Sequence, residues 1–295
     1  MSVGVVGAGK WGSALAFAFA QKNEVYITSR TPRDMKNFVS LDEVLECEYL
    51  VITVPAQQVS GWLKENFVFK GQKILVASKG IEASTMKFLN EIYAEHVPEE
   101  NIAFLSGPSF AVEVMQSLPT ALVVNSTNQT LSEELMQLFP SFIKAYSSTD
   151  VVGAEIAGAY KNVIAIAAGI CEGLSLGNNA SAALISRGLV EMSRFAKSYG
   201  AKDETFLGLG GAGDLFLTAS SPMSRNYRVG LGLAKGRTQA EILEELGEVA
   251  EGIGTAYALH EIAVKKDLYI PIAKEVYEML EGKNPQKSLE DLLRT

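Results

Sequence analysis

The sequence contains few of the residues that metal sites and disulfide frameworks require. Its 295 residues include only two cysteines and two histidines. Cys47 and Cys171 have neither a CxxC neighbour nor a nearby histidine, so we expect two buried free thiols in a reducing compartment. His96 and His260 stand alone, and neither an HExxH nor a Ser/His/Asp signature occurs. We therefore expect neither a zinc site nor a serine-hydrolase site.

The chain also lacks an excess of positive charge and a long apolar run. Its 34 aspartates and glutamates outnumber 26 lysines and arginines, which gives a formal net charge of −8. Nucleic acids and anionic membranes bind clustered lysine and arginine, so we expect neither partner. The apolar run at 163–171 is too short to span a bilayer, and the first residues lack the basic segment of a signal peptide. These features predict a cytoplasmic protein that can still hold a small anion in a local basic pocket.

The first half of the chain alternates apolar, strand-like runs with helix-like segments. Several runs are continuously apolar, which is typical of strands buried on both faces of a parallel sheet. Strands that alternate with helices predict a doubly wound α/β sheet with right-handed crossovers. The predicted strands cover residues 3–6, 25–28, 49–54, 73–77, 102–105, 121–124 and 143–146.

The second half of the chain has the residue pattern of an all-helical region. After residue 149 the strand-like runs end, and alanine, glycine and leucine recur with helical spacing, most clearly over 180–199 and 254–266. We therefore predict a doubly wound α/β domain over 1–149 and an all-helical domain over 150–295. The predicted helix-end signals are the capping boxes Thr130/Glu133 and Thr238/Glu241, the C-terminal cap Gly200 and the first-turn Pro271.

A glycine-rich turn follows the first predicted strand and opens an alanine-rich helix. Its sequence is Gly7-Ala8-Gly9-Lys10-Trp11-Gly12. In this context Gly7 would form the tight turn, Gly9 would admit a pyrophosphate and Gly12 would let the helix pack closely on the strand. The pyrophosphate would bind the free N–H groups at the helix N-terminus. The alternative is a glycine turn that only packs, but the context favours a Rossmann-type dinucleotide site.

The second predicted strand ends at arginine rather than at an acidic residue. NAD-binding folds usually carry Asp or Glu here to accept a hydrogen bond from the ribose 2′-hydroxyl. This chain has Arg30, followed by Arg33, and a guanidinium group suits a 2′-phosphate. The sequence therefore predicts that NADP(H) is preferred and that NAD(H) is a second cofactor. The alternative is that Arg30 is a solvated surface charge.

Polar side chains follow the fourth and fifth predicted strands. Lys79 comes directly after the fourth strand, and Gly107 and Ser109 follow the fifth. Ligands in an open α/β sheet bind beyond the carboxyl ends of the strands. Either segment alone could be an ordinary turn, but together they predict a site for a small anion.

Lys161 lies in an otherwise apolar predicted helix of the second half. Burial there would lower its pKa, and a second lysine nearby would lower it further. Such a lysine can act as a general acid or base near neutral pH. The alternative is a lysine at a helix edge whose ammonium group extends into solvent.

Two further segments of the helical half carry polar groups. Four glycines precede Asp214, and such flexible residues within helices suggest backbone that approaches a ligand. Ser224, Arg225 and Asn226 are adjacent and suit a phosphate or a polyol. The alternative for both segments is a surface loop.

These motifs, in this order along nearly the whole chain, resemble the bacterial-type NAD(P)-dependent glycerol-3-phosphate dehydrogenases. The motifs are GAGKWG, SKG, SGPSFA, AYKNV, GLGGAGDL and SRNYRVG. The resemblance implies reversible hydride transfer between NAD(P)H and dihydroxyacetone phosphate, which gives sn-glycerol 3-phosphate for phospholipid synthesis. It also implies that a homodimer forms.

The resemblance assigns roles to residues at the matching positions. It implies that Lys161 is the proton acceptor, and that Lys79 contacts both substrate and cofactor; Asn162 is a candidate for polarising the carbonyl or holding the lysine. The implied substrate contacts are Lys79, Gly107, Ser109, Lys161, Asp214, Ser224, Arg225 and Asn226. The cofactor contacts, including those argued above from the glycine turn and the second strand, are Gly7, Gly9, Lys10, Trp11, Gly12, Arg30, Arg33, Lys79, Ala111, Arg225, Val249 and Glu251.

Two other functions fit the same residues. A ketopantoate or β-hydroxyacid reductase would also combine a dinucleotide fold with a lysine on a helical domain, but its substrate would carry a carboxylate in place of a phosphate. A nucleotide-binding sensor without catalysis is the second alternative, and the set of Lys161, Asp214 and Ser224–Asn226 argues against it.

Overall fold

The computed structural model of the chain describes residues 1–294, and its first half is built on a seven-stranded sheet. All seven predicted strands are present, with ends that differ from the prediction by at most two residues. The strands are β1 (Ser2–Val6), β2 (Glu24–Thr28), β3 (Tyr49–Ile52), β4 (Lys73–Val76), β5 (Ile81–Glu82), β6 (Lys87–Phe88), β7 (Ile102–Ser106), β8 (Thr120–Asn125) and β9 (Ile143–Ser148). The two-residue strands β5 and β6, which the sequence analysis did not predict, form a separate antiparallel pair.

Helices connect the strands of the first half and make up the second half. In the first half they are α1 (Lys10–Phe19), α2 (Leu41–Leu45), α3 (Val59–Asn66), α4 (Leu89–Tyr93), α5 (Ala111–Met115) and α6 (Gln129–Leu138). In the second half they are α7 (Val151–Gly173), α8 (Gly177–Lys197), α9 (Asp203–Leu207), α10 (Asp214–Ala219), α11 (Arg225–Ala234), α12 (Gln239–Leu246), α13 (Glu251–Lys266), α14 (Pro271–Leu280) and α15 (Pro285–Arg294). The sheet and the helical second half confirm the predicted fold class.

The sheet has the order β2-β1-β3-β4-β7-β8-β9, and it is not wholly parallel. The first five strands of this order run parallel, whereas β8 pairs antiparallel with β7 and β9 is parallel to β8. The carboxyl ends of β1, β3, β4 and β7 therefore meet at one edge of the sheet. Because the chain crosses from one side of β1 to the other, a crevice opens at this edge between β1 and β3.

The change from strands to helices takes place at a single buried aspartate. Strand β9 ends at Ser148, and α7 begins at Val151 with Asp150 as its N-cap. Asp150 accepts hydrogen bonds from the N–H groups of Gly153 at 3.0 Å and Lys202 at 2.9 Å, and from the hydroxyl of Thr205 at 2.5 Å. This carboxylate therefore fixes the start of α7 to the start of α9.

The helix-end predictions had mixed outcomes. The Thr238/Glu241 capping box and the first-turn Pro271 are confirmed. The Thr130/Glu133 capping box is wrong: Asn128 caps α6 with its side chain, so that helix begins one residue before Thr130. The C-cap of α8 is Ser198, and Gly200 follows it with a φ of +81°. Glycine there continues the turn after the cap instead of being the cap itself.

Helix α7 is the centre of the helical half. It packs against α8, α10, α11, α13 and α14. Its length and composition would allow it to cross a membrane, but 89% of its most apolar 18-residue window is buried inside the fold. It crosses α11 so closely that a Cβ added to Gly169 would lie 2.0 Å from the Tyr227 carbonyl oxygen. A Cβ added to Gly230 would lie 2.0 Å from the Ile166 carbonyl oxygen, so glycine is required on both helices.

Candidate active site

The glycine turn has the geometry of a dinucleotide site. Gly7 has a φ of +109°, and a Cβ on it would lie 2.3 Å from the Thr53 hydroxyl. A Cβ on Gly12 would lie 1.8 Å from the Gly7 carbonyl oxygen, whereas one on Gly9 would meet no described atom within 4 Å. Gly7 and Gly12 are therefore required by the fold itself, and Gly9 leaves open space in front of α1.

The N-terminus of α1 is available to an anion. Its N-cap is Gly9, and no side chain of residues 1–292 accepts a hydrogen bond from the first N–H groups of the helix. Free N–H groups and the positive end of the helix dipole favour a phosphate at this position. Trp11 extends from the same turn across the sheet edge, where its indole N–H donates to the Ala77 carbonyl oxygen at 3.2 Å.

Three predicted residues from distant parts of the chain meet in one buried ion-pair cluster. The Asp214 carboxylate accepts from Lys79 Nζ at 2.6 Å through Oδ2 and from Lys161 Nζ through Oδ1. Asp214 is 1% exposed and Lys161 is 7% exposed. Lys161 also donates to the Thr218 hydroxyl at 3.1 Å, and that hydroxyl donates to the Asp214 carbonyl oxygen at 2.7 Å. The cluster carries two positive charges and one negative charge.

Burial and the neighbouring charges change the acidity of this cluster. Burial lowers the pKa of Lys161 to about 8. The Lys79 ammonium lowers this pKa further, and the Asp214 carboxylate opposes the shift. Burial alone would raise the pKa of Asp214, but Lys161 and Lys79 hold it below its usual value. Near neutral pH Asp214 is therefore ionised, and Lys161 is close to the point at which it gains or loses a proton.

The other predicted strand-end residues lie next to Lys79. Lys79 Nζ also approaches the Gly107 carbonyl oxygen at 3.4 Å, and the Ser109 hydroxyl donates to the same oxygen at 3.4 Å. Gly107 has a φ of +108°, a conformation that favours glycine. Ala111 begins α5, and it packs against the core beside α1. The turn after β7 therefore lies between the lysine cluster and the glycine turn.

Arg225 and Lys10 share a carboxylate that the sequence analysis missed. Glu248 accepts from Lys10 Nζ at 2.5 Å and from an Arg225 guanidinium N–H at 3.5 Å. It lies between α12 and α13, and with Val249 it lines a cavity of about 410 Å³. The Lys10 ammonium holds the pKa of Glu248 below its usual range. No pattern in the sequence links residue 248 to residue 10, because their contact depends on the packing of the two halves.

Ser224, Asn226 and Asn162 are occupied by structural hydrogen bonds. Ser224 caps α11 by accepting from the Tyr227 N–H at 3.3 Å. Asn226 donates to Asn162 at 2.9 Å and accepts from the Gly252 N–H at 2.9 Å, while Asn162 also donates to the Gly158 carbonyl oxygen at 3.2 Å. These contacts fix the N-terminus of α11 next to α7 and α13. Arg225, at the first position of α11, has a 43% exposed side chain.

The glycines before Asp214 have a structural explanation that the sequence analysis did not foresee. They form a short wide turn, Leu209–Gly213, that leads into α10. A Cβ on Gly211 would lie 2.4 Å from the Phe206 Cα, and one on Gly210 would lie 2.8 Å from the Ser106 hydroxyl. Close backbone packing therefore accounts for these two glycines without a ligand.

Glu251 is a buried acidic residue with one carboxyl oxygen that could accept a hydrogen bond from a ligand. It is the first residue of α13, and its Oε1 accepts from the Ala56 N–H at 3.1 Å. Its Oε2 is buried and has no hydrogen-bond partner among the described residues. Burial raises the pKa of Glu251 to about 7. A buried oxygen of this kind fits an amide or hydroxyl donor of a bound dinucleotide, so the residues present fit such a cofactor.

Arg30 and Arg33 lie outside this network. Both side chains are exposed just after β2, and neither forms an ion pair with another described residue. Their guanidinium groups are therefore available to an anion beside the glycine turn.

Thr218 is a second residue that the sequence analysis missed. It stands four positions after Asp214 on α10, and this spacing places both on one helix face.

Comparisons with known proteins agree on one family. Residues 20–132 match the model of the NAD-dependent glycerol-3-phosphate dehydrogenase N-terminus, and residues 150–290 match that of the C-terminus. The chain is 73% identical over 291 residues to a glycerol-3-phosphate dehydrogenase [NAD(P)+] of Sulfurimonas denitrificans, covering 99% of this chain and 98% of the relative. It is 58% identical to a protein of the same name from Campylobacter jejuni (strain RM1221), covering 100% and 99%.

Solved structures give the same result. The glycerol-3-phosphate dehydrogenase of Coxiella burnetii superposes with a TM-score of 0.91 at 33% identity and covers 100% of this chain and 99% of its own. A 2-dehydropantoate 2-reductase structure from Enterococcus faecalis reaches a TM-score of 0.56 at 14% identity, covering 98% of this chain and 99% of its own, which shows a shared fold alone.

Proposed function

Because the chain belongs to the NAD-dependent glycerol-3-phosphate dehydrogenase family, we propose that it is the oxidoreductase that interconverts dihydroxyacetone phosphate and sn-glycerol 3-phosphate with NAD(P)(H). The observation that carries this proposal is the buried cluster of Lys79, Lys161 and Asp214. It lies at the sheet edge where the glycine turn exposes the N-terminus of α1, so a proton donor and a dinucleotide site share one crevice.

The lysine cluster provides the proton and the positive charge that carbonyl reduction needs. NAD(P)H, when bound, supplies the hydride to the C2 carbonyl of the substrate. Lys161 donates its proton to the carbonyl oxygen as negative charge develops there, and Lys79 stabilises that charge. In the oxidation direction, neutral Lys161 accepts the proton of the C2 hydroxyl. Asp214 accepts a hydrogen bond from each lysine and so keeps both side chains oriented.

The N-terminus of α11 is the proposed site for the substrate phosphate. Arg225 extends from its first turn, and the N–H groups of that turn favour an anion. Since Ser224 and Asn226 are occupied by structural hydrogen bonds, we propose that they act mainly by positioning this turn. Binding energy from the phosphate can then orient the reacting carbon at Lys161.

An assay of dihydroxyacetone phosphate reduction tests the proposal. We expect turnover with dihydroxyacetone phosphate and much slower turnover with 2-dehydropantoate or other 2-keto acids. Lys161→Ala should lower kcat by a factor of about 10²–10⁴, the usual contribution of a general acid, while NADPH binding stays unchanged. Lys64→Ala, at an exposed position on α3, is the matched control. Preference for a 2-keto acid, or near-normal turnover of Lys161→Ala, would contradict the proposal.

The preference for NADP(H) over NAD(H) is a separate part of the proposal. It is supported by the exposed guanidinium groups of Arg30 and Arg33 just after β2. Arg30→Ala should lower kcat/KM with NADPH by a factor of about ten or more and leave NADH nearly unchanged. Lys36→Ala, also exposed, is the control. An unchanged NADPH/NADH ratio in the Arg30 variant would remove this arginine from cofactor selection.

The family resemblance supports a cellular setting for this reaction. We propose that the product enters glycerophospholipid synthesis in the cytoplasm, and that the enzyme acts on free small molecules. The formation of a homodimer stays an expectation from the family resemblance, and the absence of nucleic-acid partners stays a prediction from the net charge of −8. The burial of α7 within the fold supports the prediction that the chain does not insert into a membrane.

A further inference from the structure

Glu155 is a buried acidic residue that the proposed mechanism does not use. It lies on α7 and is 5% exposed. Its Oε2 atom is buried and has no hydrogen-bond partner among the described residues. A buried carboxyl oxygen without a partner is costly, so its presence close to a reactive site calls for an explanation.

The side chain of Lys79 passes along α7 directly beside Glu155. A Cβ added to Gly158 would lie 3.3 Å from both Cγ and Cδ of Lys79, so the lysine stem crosses the helix at this glycine. Residues three positions apart are neighbours on a helix face, which places Glu155 next to Gly158 and the lysine stem. The other end of the same side chain donates to Asp214. The stem of Lys79 therefore lies near the carboxyl group of Glu155, and its ammonium group binds the carboxylate of Asp214.

The surroundings of Glu155 favour its neutral form. Burial raises the pKa of Glu155 to about 8, although the N–H groups of Asn90 and Leu89 and the Lys79 ammonium oppose the shift. Tyr93 on α4 is a further titratable group near Glu155, and its buried hydroxyl also lacks a hydrogen-bond partner among the described residues. At neutral pH the buried charges of Lys79, Lys161 and Asp214 therefore leave a net charge of one positive unit for an anionic substrate.

We propose that Glu155 is a positioning residue for Lys79: as the neutral acid it leaves the lysine ammonium to Asp214 and the substrate, and as the carboxylate it competes with them for that ammonium. This inference rests on the proposed function, which places Lys79 in contact with the substrate. The proton balance is simple, since the carboxyl group releases one proton to solvent and no covalent bond to carbon changes.

The pH dependence of the KM for dihydroxyacetone phosphate in Glu155→Gln and Glu155→Met tests the proposal. Neither side chain ionises, so both variants mimic the neutral acid. At about pH 6 we expect the KM values of wild type and variants to agree, and at about pH 9 we expect a wild-type KM about three to ten times higher than that of either variant. Taking the ratio removes the titrations of Lys161 and of the substrate phosphate, which all three proteins share.

Glu191→Gln is the matched control. Glu191 is also a buried glutamate, and burial raises its pKa too, but it lies on α8 and accepts from the Tyr160 hydroxyl at 2.7 Å. Its ratio of KM values should not change with pH. A pH-independent ratio for both Glu155 variants would overturn the proposal, as would a raised KM in both at about pH 6.

A measurement without substrate separates this inference from the proposed function. Infrared difference spectra of wild type and Glu155→Gln, taken between about pH 6 and about pH 9, should show one more protonated carboxyl group lost in the wild type than in the variant, since Glu251, with a pKa of about 7, titrates in both. If that group is present but dihydroxyacetone phosphate is not turned over, the proposed function fails while the protonated state of Glu155 stands. If the two proteins give the same spectra, the inference fails even if the enzyme is active.

Discussion

At the scale of single residues, Lys161 shows both what the sequence can predict and where it stops. An ammonium group among small apolar neighbours predicts burial and a lowered pKa, and both are found. Its partner could not be predicted, because Asp214 lies 53 positions away. Ser224 and Asn226 show the reverse: their residue types suit a ligand, but local capping and contact with α7 already use their side chains.

The lowered pKa of Lys161 predicts opposite pH profiles for the two directions of the reaction. Reduction requires the protonated lysine, so its kcat should fall as the pH rises through about 8. Oxidation requires the neutral lysine, so its kcat should fall as the pH drops below about 8. Steady-state rates in both directions from about pH 6 to about pH 10 test this. A break near the ordinary lysine pKa of about 10.4 would contradict the role of burial.

Asp214→Asn should affect both activity and stability. The variant leaves Lys79 and Lys161 without their shared counter-charge, so the pKa of Lys161 should fall further and the reduction profile should shift to lower pH. Removing one partner of a buried ion pair typically costs about 3–5 kcal/mol of unfolding free energy. The loss should shrink at high pH, where Lys161 is neutral. Denaturant unfolding at two pH values measures it, and an equal loss at both would speak against the charge explanation.

At the scale of elements, the hydrophobic pattern predicted where the long strands lie, but it did not predict the shortest strands or the direction of every strand. Continuous apolar runs such as those of β3 and β4 are fully or almost fully buried, so their positions followed from the sequence. The two-residue strands β5 and β6 are too short to carry a pattern. The reversed direction of β8 and β9 was also not predictable, since a short apolar run does not show in which direction its strand runs through the sheet.

The crossing of α7 and α11 predicts a large effect from a single methyl group. Gly169→Ala would place a Cβ 2.0 Å from a backbone oxygen of α11, so the helices must separate. Overpacking of this kind typically costs about 1–3 kcal/mol, and kcat should fall because Lys161 and Arg225 lie on these two helices. Thermal unfolding and steady-state kinetics measure both effects.

Gly61→Ala on α3 is the control for that experiment. A Cβ at Gly61 would meet no described atom within 4 Å, and alanine in a helix is favoured over glycine by about 0.5–1 kcal/mol. We expect this variant to be as stable as wild type or slightly more so. If Gly169→Ala and Gly61→Ala behave alike, the close crossing does not constrain the fold.

At the scale of the whole molecule, the site exists only because the two halves of the chain meet. The glycine turn and Lys79 come from the sheet edge, and Lys161, Asp214 and Arg225 come from the helical half. Glu248 links the two halves across the crevice by binding both Lys10 and Arg225. Lys10 and Arg225 are the groups proposed to face the anionic cofactor and substrate. The Glu248 carboxylate therefore competes with these two anions for the same cations.

Glu248→Gln should therefore bind NADPH more tightly than wild type. The ion pairs of Glu248 are partly exposed, so their loss should change stability by no more than about 1 kcal/mol. The gain in affinity should shrink as salt screens the carboxylate. Fluorescence titrations at low and high ionic strength measure this, with Glu245→Gln, whose partner is Arg237, as the control. Weaker binding by Glu248→Gln would show that the carboxylate supports the cofactor.

The close crossing of α7 and α11 also sets the distance between two groups of the active site. Lys161 stands eight residues, about two helical turns, before Gly169, and Arg225 stands five residues before Gly230. Backbone contact at these glycines prevents the helices from sliding, so the proton donor and the proposed phosphate-binding group stay at a fixed separation. We therefore expect a phosphorylated ketone with one more carbon between carbonyl and phosphate to be turned over more slowly than dihydroxyacetone phosphate, because its two ends would fit this separation less well.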